Sequence, residues 1–271
     1  MPDATVFREL NTVLGDLVDS VGAILGGDLC GVYLLGSFAV GDADVYSDVD
    51  FLVVTEAEVS SEQEAALQVM HGRLYALDSP WAQHLEGSYA PRERLRVVDP
   101  ARSPFLFLDN GASGLVLDNH CNTAVVRWTL REHGIVLVGP EPQSIVERVS
   151  EQVLREEALA GVREYAEWAP EPTRAGPMSR WKQPYLVLTF CRLLYTLTEA
   201  RVVSKREAGE WAMGALDPQW SDLIRRALDD RPDPWTRVHQ LADPDLGERT
   251  LAFARYAMAL ADADTGPRRD G

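Results

Sequence analysis

Two carboxylates, a glycine and a serine in one short stretch offer chemistry. In Leu34-Leu35-Gly36-Ser37 an apolar run ends in Gly-Ser, ten residues pass, and Asp48-Val49-Asp50 opens a second apolar run, Phe51 to Val54. Residues i and i+2 of a strand point to the same face, so Asp48 and Asp50 lie side by side. Two like charges that close are unfavourable unless a cation sits between them, and hard oxygen ligands suit Mg²⁺. Gly36 admits a ligand close to the backbone, while the Ser37 hydroxyl and nearby N–H groups can hold phosphate oxygens. The arrangement fits nucleotidyl transfer, in which metal ions hold a triphosphate and an acceptor hydroxyl attacks in line. Asp-x-Asp alone says little in a chain with 42 acidic residues, because a solvated strand end has the same letters. The specific signal is the joint pattern, with a strand before each half.

Those residues need a sheet to hold them. Phe7 to Leu25 carries Leu10, Val13, Leu14, Leu17, Val18 and Val21 at helical spacing and stops at Gly26-Gly27. Gly31–Leu35 and Asp50–Thr55 read as buried strands, and Glu62–Leu74 as a helix. Strands are expected at His84–Tyr89 and Leu95–Val98, a helix at Cys121–His133 and an extended segment in IVLVGP. This alternation predicts an α/β domain with a small mixed sheet over residues 1–142. Beyond it, 144–168, 185–200, 205–215, 220–228 and 246–263 all read as helices, with a proline-bearing loop at 169–179. Ser204 and Glu207 make a capping-box pattern. An all-α helical bundle domain over 143–263 and a frayed tail over 264–271 follow.

Composition narrows the classes. The chain has 271 residues, about two average domains, with 46% hydrophobic and 25% charged residues, which excludes a largely disordered protein. No apolar run approaches the roughly 20 residues of a membrane span, and MPDATVFREL lacks the layout of a secretory signal. Cys30, Cys121 and Cys191 are far apart and odd in number, fitting neither a zinc site nor a disulfide framework. The expectation is a soluble, monomeric, cytoplasmic protein with no membrane partner. Lys+Arg is 26 against 42 Asp+Glu, a net charge of −16, which argues against a nucleic-acid partner. Such a field draws in a small polycation, or serves solubility alone. The only lysines are Lys182 and Lys205.

With these residues in place, the sequence resembles the nucleotidyltransferase superfamily, and within it the aminoglycoside adenylyltransferases that modify streptomycin and spectinomycin. Arg131–Pro142, REHGIVLVGPEP, is similar to that family's segment closing the first domain, and Leu188–Leu216 to the signature of its helical second domain. The resemblance implies a nucleotidyltransferase α/β domain followed by a helical bundle, with the active site in the cleft between them. It implies Ser37 as the phosphate-contacting serine, Asp48 and Asp50 as magnesium ligands, and Glu86 as the third carboxylate, which takes the proton from the acceptor hydroxyl. It implies Arg192 and Lys205 as triphosphate ligands, and Mg²⁺ and ATP as cofactor and co-substrate. Glu86 also reads as a surface glutamate on a strand, with Asp99 and Asp109 as other candidate bases. Arg192 sits on a mixed helical face, where its guanidinium needs either a phosphate or an internal partner such as Glu199. His84 reads as a hydrogen-bonded structural histidine. In the drug segment the family's acids have no ungapped match. Glu167, Trp168, Glu171 and Trp181 are the available substitutes, the tryptophans being equally core or loop anchors.

The expected activity is Mg²⁺-dependent transfer of AMP from ATP to a hydroxyl of an aminoglycoside-like polycation, releasing pyrophosphate. The alternatives are an antitoxin-type enzyme acting on a protein and a non-catalytic nucleotide-binding module.

Overall fold

In the computed structural model, which describes residues 3–231 and 234–264, the chain separates into two units, Met1–Val149 and Ser150–Gly271. The first begins with α1 (Arg8–Leu25), which buries Leu10, Val13, Leu14, Leu17 and Val21 on one stripe and ends where Gly26 turns to φ 55°. Then follow β1 (Leu29–Leu34), α2 (Gly36–Ala39), β2 (Val49–Thr55), α3 (Ser61–Tyr75), α4 (Pro80–Gln83), β3 (Leu85–Pro91) and α5 (Arg92–Leu95). The unit continues with β4 (Phe105–Leu108), β5 (Leu115–Asp118), α6 (Ala124–His133) and β6 (Ile135–Val138). The strands form one mixed sheet in the order β5-β4-β3-β2-β1-β6, with β2 and β3 parallel and the other neighbours antiparallel.

Each face of the central strands is buried, which is why they read as continuous apolar runs. Phe51, Val53, Leu85 and Tyr89 pack in one core with Leu14 and Leu17 of α1 and Leu67 and Met70 of α3. Leu52, Val54 and Ala90 pack in a second core with Leu130 of α6 and with Ile145 and Val146. Burying each such side chain is worth roughly 1.5–3 kcal/mol.

Two sequence expectations need correction. Leu95–Val98 is not a strand: α5 ends at Leu95 and bends follow. The carbonyls of Arg94 and Leu95 accept from the fully buried Arg127 guanidinium at 2.9 and 3.0 Å, and the Arg96 carbonyl accepts from the Glu147 N–H at 2.8 Å, so this stretch bonds to a side chain and a loop. The helix expected from Cys121 starts at Ala124, where the Thr123 hydroxyl caps it by accepting from the Val126 N–H. Strands β4 and β5 are additions, four residues each.

The second unit holds α7 (Glu151–Trp168), α8 (Lys182–Glu199), α9 (Lys205–Ala215), α10 (Ser221–Asp230) and α11 (Pro244–Asp264). Helix α8 is central: Leu186, Val187, Phe190, Cys191 and Leu194 join Val162, Ile224 and Phe253 in one core. Helix α7 starts at its Ser150 cap because Pro142–Ser144 forms a separate 3-10 turn. Helix α8 starts three residues ahead of Tyr185, since Pro184 falls in the first turn, where no N–H is needed. The Ser204 hydroxyl caps α9 by accepting from the Glu207 N–H. The expected frayed tail, beyond Asp264, lies outside the described residues. No described helix is long and apolar enough to cross a membrane.

Candidate active site

Strand pairing sets the acids. In the parallel β2–β3 ladder Asp50 stands opposite Glu86, and the Val49 N–H donates to the His84 carbonyl at 2.9 Å. Asp48 precedes β2 by one residue. One carboxylate oxygen from each of Asp48, Asp50 and Glu86 lies within 4.8 Å of the others, and all three residues are half-buried. Three carboxylates at that separation repel one another without a cation, and an all-oxygen donor set fits a hard divalent ion.

Gly36 and Ser37 complete the arrangement. The Leu35 N–H donates to the Asp50 carbonyl at 2.7 Å, bringing the end of β1 against the start of β2. Gly36 then adopts φ 55°, and a Cβ there would sit 1.7 Å from Asp50 Oδ2. Only glycine combines that backbone angle with that approach. Ser37 follows in α2, which is fixed by Phe38 packing on Phe7 and Trp81, at ring separations of 6.2 and 6.0 Å. The Ser37 hydroxyl is buried and, among the described residues, has no hydrogen-bond partner. An unmet buried hydroxyl costs free energy, so this one is suited to a ligand. Asp44, by contrast, is engaged in its own loop, its carboxylate accepting from the Tyr46 N–H at 2.8 Å.

Other candidates take structural places. Asp99 accepts from the Ala101 and Ser103 N–H groups at 2.9 Å, bonds that hold its carboxyl at about 2 and tie it to its turn. His84 pairs through Nδ1 with Asn110 Oδ1 at 3.0 Å. The segment between β5 and α6 brings two residues that no spacing in the sequence singles out. His120 places Nε2 3.5 Å from Glu86 Oε1. Burial, with Glu86 and Asp50 nearby, pushes the Cys121 thiol up to about 12, against a hydrogen bond with Ser88, so it stays a neutral thiol.

In the second unit, Arg192 lies half-buried on α8 and forms no ion pair with Glu199 or any other described carboxylate. Lys205 opens α9 with Nζ 5.2 Å from the Tyr185 ring centre. Trp168 and Trp181 belong to one aromatic group with Tyr165 and Tyr185, the two indoles 6.5 Å apart and Trp181 stacked on Tyr185 at 5.0 Å. The buried Lys182 ammonium lies 4.0 Å from the Trp168 ring centre and donates to the carbonyls of Trp168 and Glu171 at 2.8 and 2.6 Å. Burial holds the Lys182 ammonium below the usual lysine range. One face of Trp168 is therefore already taken by an internal cation.

Comparisons with known proteins agree with this layout. The family model described as Nucleotidyltransferase domain matches residues 25–90, and that described as Aminoglycoside adenylyltransferase, C-terminal domain matches residues 144–258. The chain is 25% identical over 241 residues to an aminoglycoside (3'') (9) adenylyltransferase of Shigella flexneri, covering 82% of this chain and 85% of the relative. It is 24% identical over 227 residues to a spectinomycin 9-adenylyltransferase of Staphylococcus aureus, covering 74% and 77%. The crystal structure of a spectinomycin adenyltransferase from Enterococcus faecialis with ATP and spectinomycin has the same fold, with a TM-score of 0.69 at 12% identity over 92% of this chain and 98% of that one.

Proposed function

The chain belongs to the aminoglycoside adenylyltransferase family of nucleotidyltransferases, and from that premise we propose that it moves AMP from ATP to a hydroxyl of an aminoglycoside-like antibiotic and releases pyrophosphate. The observation that carries the reading is the convergence of Asp48, Asp50 and Glu86, with Gly36 against Asp50 and the next residue's hydroxyl, Ser37, buried with no hydrogen-bond partner among the described residues. The three acids would hold Mg²⁺. When bound, such an ion neutralises triphosphate oxygens and orients the α-phosphate for in-line attack.

The chain's own groups supply the rest. Ser37 donates its buried hydroxyl to a phosphate oxygen, and Gly36 keeps the backbone low enough for that approach. Glu86 takes the proton from the acceptor hydroxyl as that oxygen attacks, a step for which an adjacent carboxylate is a competent base. Arg192, which has no carboxylate partner among the described residues, and Lys205, at the start of α9, neutralise the triphosphate. Each such charge-assisted contact is worth roughly 1.5–3 kcal/mol. The acceptor is a cationic small molecule, in keeping with the net charge of −16.

The test is incubation with ATP, MgCl₂ and either spectinomycin or streptomycin, reading pyrophosphate release and the mass of the drug. The expected result is one adenylyl group added to at least one drug, dependent on Mg²⁺. Pyrophosphate release without a modified drug, or AMP appearing on protein instead, would overturn the small-molecule reading.

A further inference from the structure

We propose that His120 is a positioning residue for Glu86, an inference that rests on the reading of the acidic cluster as a metal site. Its ring lies over Phe107, with centroids 5.5 Å apart and planes inclined by 35°. Phe107 stands opposite Ser88 in the β3–β4 ladder, two residues along the strand from Glu86, so a ring seated on Phe107 reaches the Glu86 carboxylate. There His120 Nε2 is 3.5 Å from Glu86 Oε1, a separation that a shift of a few tenths of an ångström closes to a hydrogen bond.

His120 is 59% exposed, yet its backbone is pinned. Its N–H donates to Asp118 Oδ1 at 2.7 Å. Two residues on, the buried Asn122 side chain donates to the Ser103 carbonyl at 2.7 Å and its N–H to the Asn119 carbonyl at 2.9 Å. An exposed side chain on a fixed backbone, seated on an aromatic ring and aimed at a carboxylate, is arranged to hold that carboxylate.

The physical need is clear. Asp48 and Asp50 repel Glu86 and would swing it away from them. An Nε2–H donated to Oε1 opposes that swing and holds the carboxylate toward Asp48 and Asp50. Outer partners of this kind orient ligating carboxylates, and their loss lowers metal affinity about 10–100-fold.

Calorimetry with Mn²⁺ on the full chain tests this without any acceptor. Glu86→Gln and His120→Ala should each weaken Mn²⁺ binding about tenfold or more, with unchanged melting temperatures. The double variant should bind Mn²⁺ no more weakly than Glu86→Gln alone, and His120→Gln, which keeps an N–H near the Nε2 position, should restore most of the affinity. Unchanged binding in His120→Ala alongside weakened binding in Glu86→Gln overturns the role of His120 and leaves the metal site standing. Additive losses in the double variant overturn it as well, since His120 would then act independently of Glu86. Unchanged binding in Glu86→Gln overturns Glu86 as a metal ligand, and this inference with it.

Discussion

Gly36 and Asp50 share a space that admits one carboxylate and no methyl group. Gly36→Ala must hold a left-handed angle, at roughly 1–2 kcal/mol, and drive Asp50 aside, because the new Cβ falls 1.7 Å from Oδ2. The variant should stay folded, with a melting temperature lower by a few degrees. Its turnover should fall at least about 100-fold, the scale of a 1 Å misplacement. Near-normal pyrophosphate release would show that Asp50 need not stand where it does. Asp50→Asn leaves the backbone alone and removes one of three crowded charges. It should abolish turnover, while the melting temperature without divalent ions holds or rises as repulsion is relieved. Glu86→Gln keeps shape but cannot accept a proton, so kcat should drop about 10²–10⁴-fold. Affinity for ATP measured without divalent ions should stay close to that of the unaltered chain, and the loss of kcat should persist at saturating Mg²⁺; calorimetry and steady-state rates separate the two.

At the scale of elements, α3 meets the sheet through His71, fully buried, stacked on Phe51 at 5.9 Å and hydrogen-bonded to the Tyr89 hydroxyl at 2.8 Å. Burial pushes the His71 imidazole down to about 4, so the folded chain keeps it neutral where an unfolded chain, near 6.5, takes up a proton. Stability is therefore complete above pH 6.5 and is lost as pH falls from there toward 4, by up to about 3 kcal/mol. Melting curves between pH 7.5 and 4.5 should show that loss, and His71→Gln should flatten it; an equal slope in both would place the acid-sensitive group elsewhere. This contact was not legible in the sequence, since His71 sits in a helix whose pattern says only that one face is inside. Strands β1 and β2 were legible because both faces are buried and the apolar run is unbroken. Phe105–Leu108 and Leu115–Asp118 were not, because four residues are too few to show a period. Within the candidate site, Asp48 and Asp50 declared themselves by strand spacing, whereas Glu86 needed the family likeness, since register between β2 and β3 is a property of folded backbone. His120 and the buried Lys182 depend on loop paths that no local pattern encodes.

The whole molecule carries a net charge of −16, a long-range field that reaches an approaching cation before any contact forms. For a polycationic acceptor, kcat/KM should fall several-fold as the Debye length shrinks from about 10 Å at 0.1 M salt to about 3 Å at 1 M, with kcat little changed. A flat salt profile would assign the acidity to solubility alone. The parallel pairing of Val49–Thr55 with Leu85–Pro91 has a consequence of another kind. Asp50 and Glu86 ride on strands inside the core, the part of a domain that opens last. Damage to the packing under them should therefore reduce how many molecules are intact at a given moment, while each intact molecule turns over at its full rate. In a cell exposed to drug, such a lesion would read as a lower dose of enzyme.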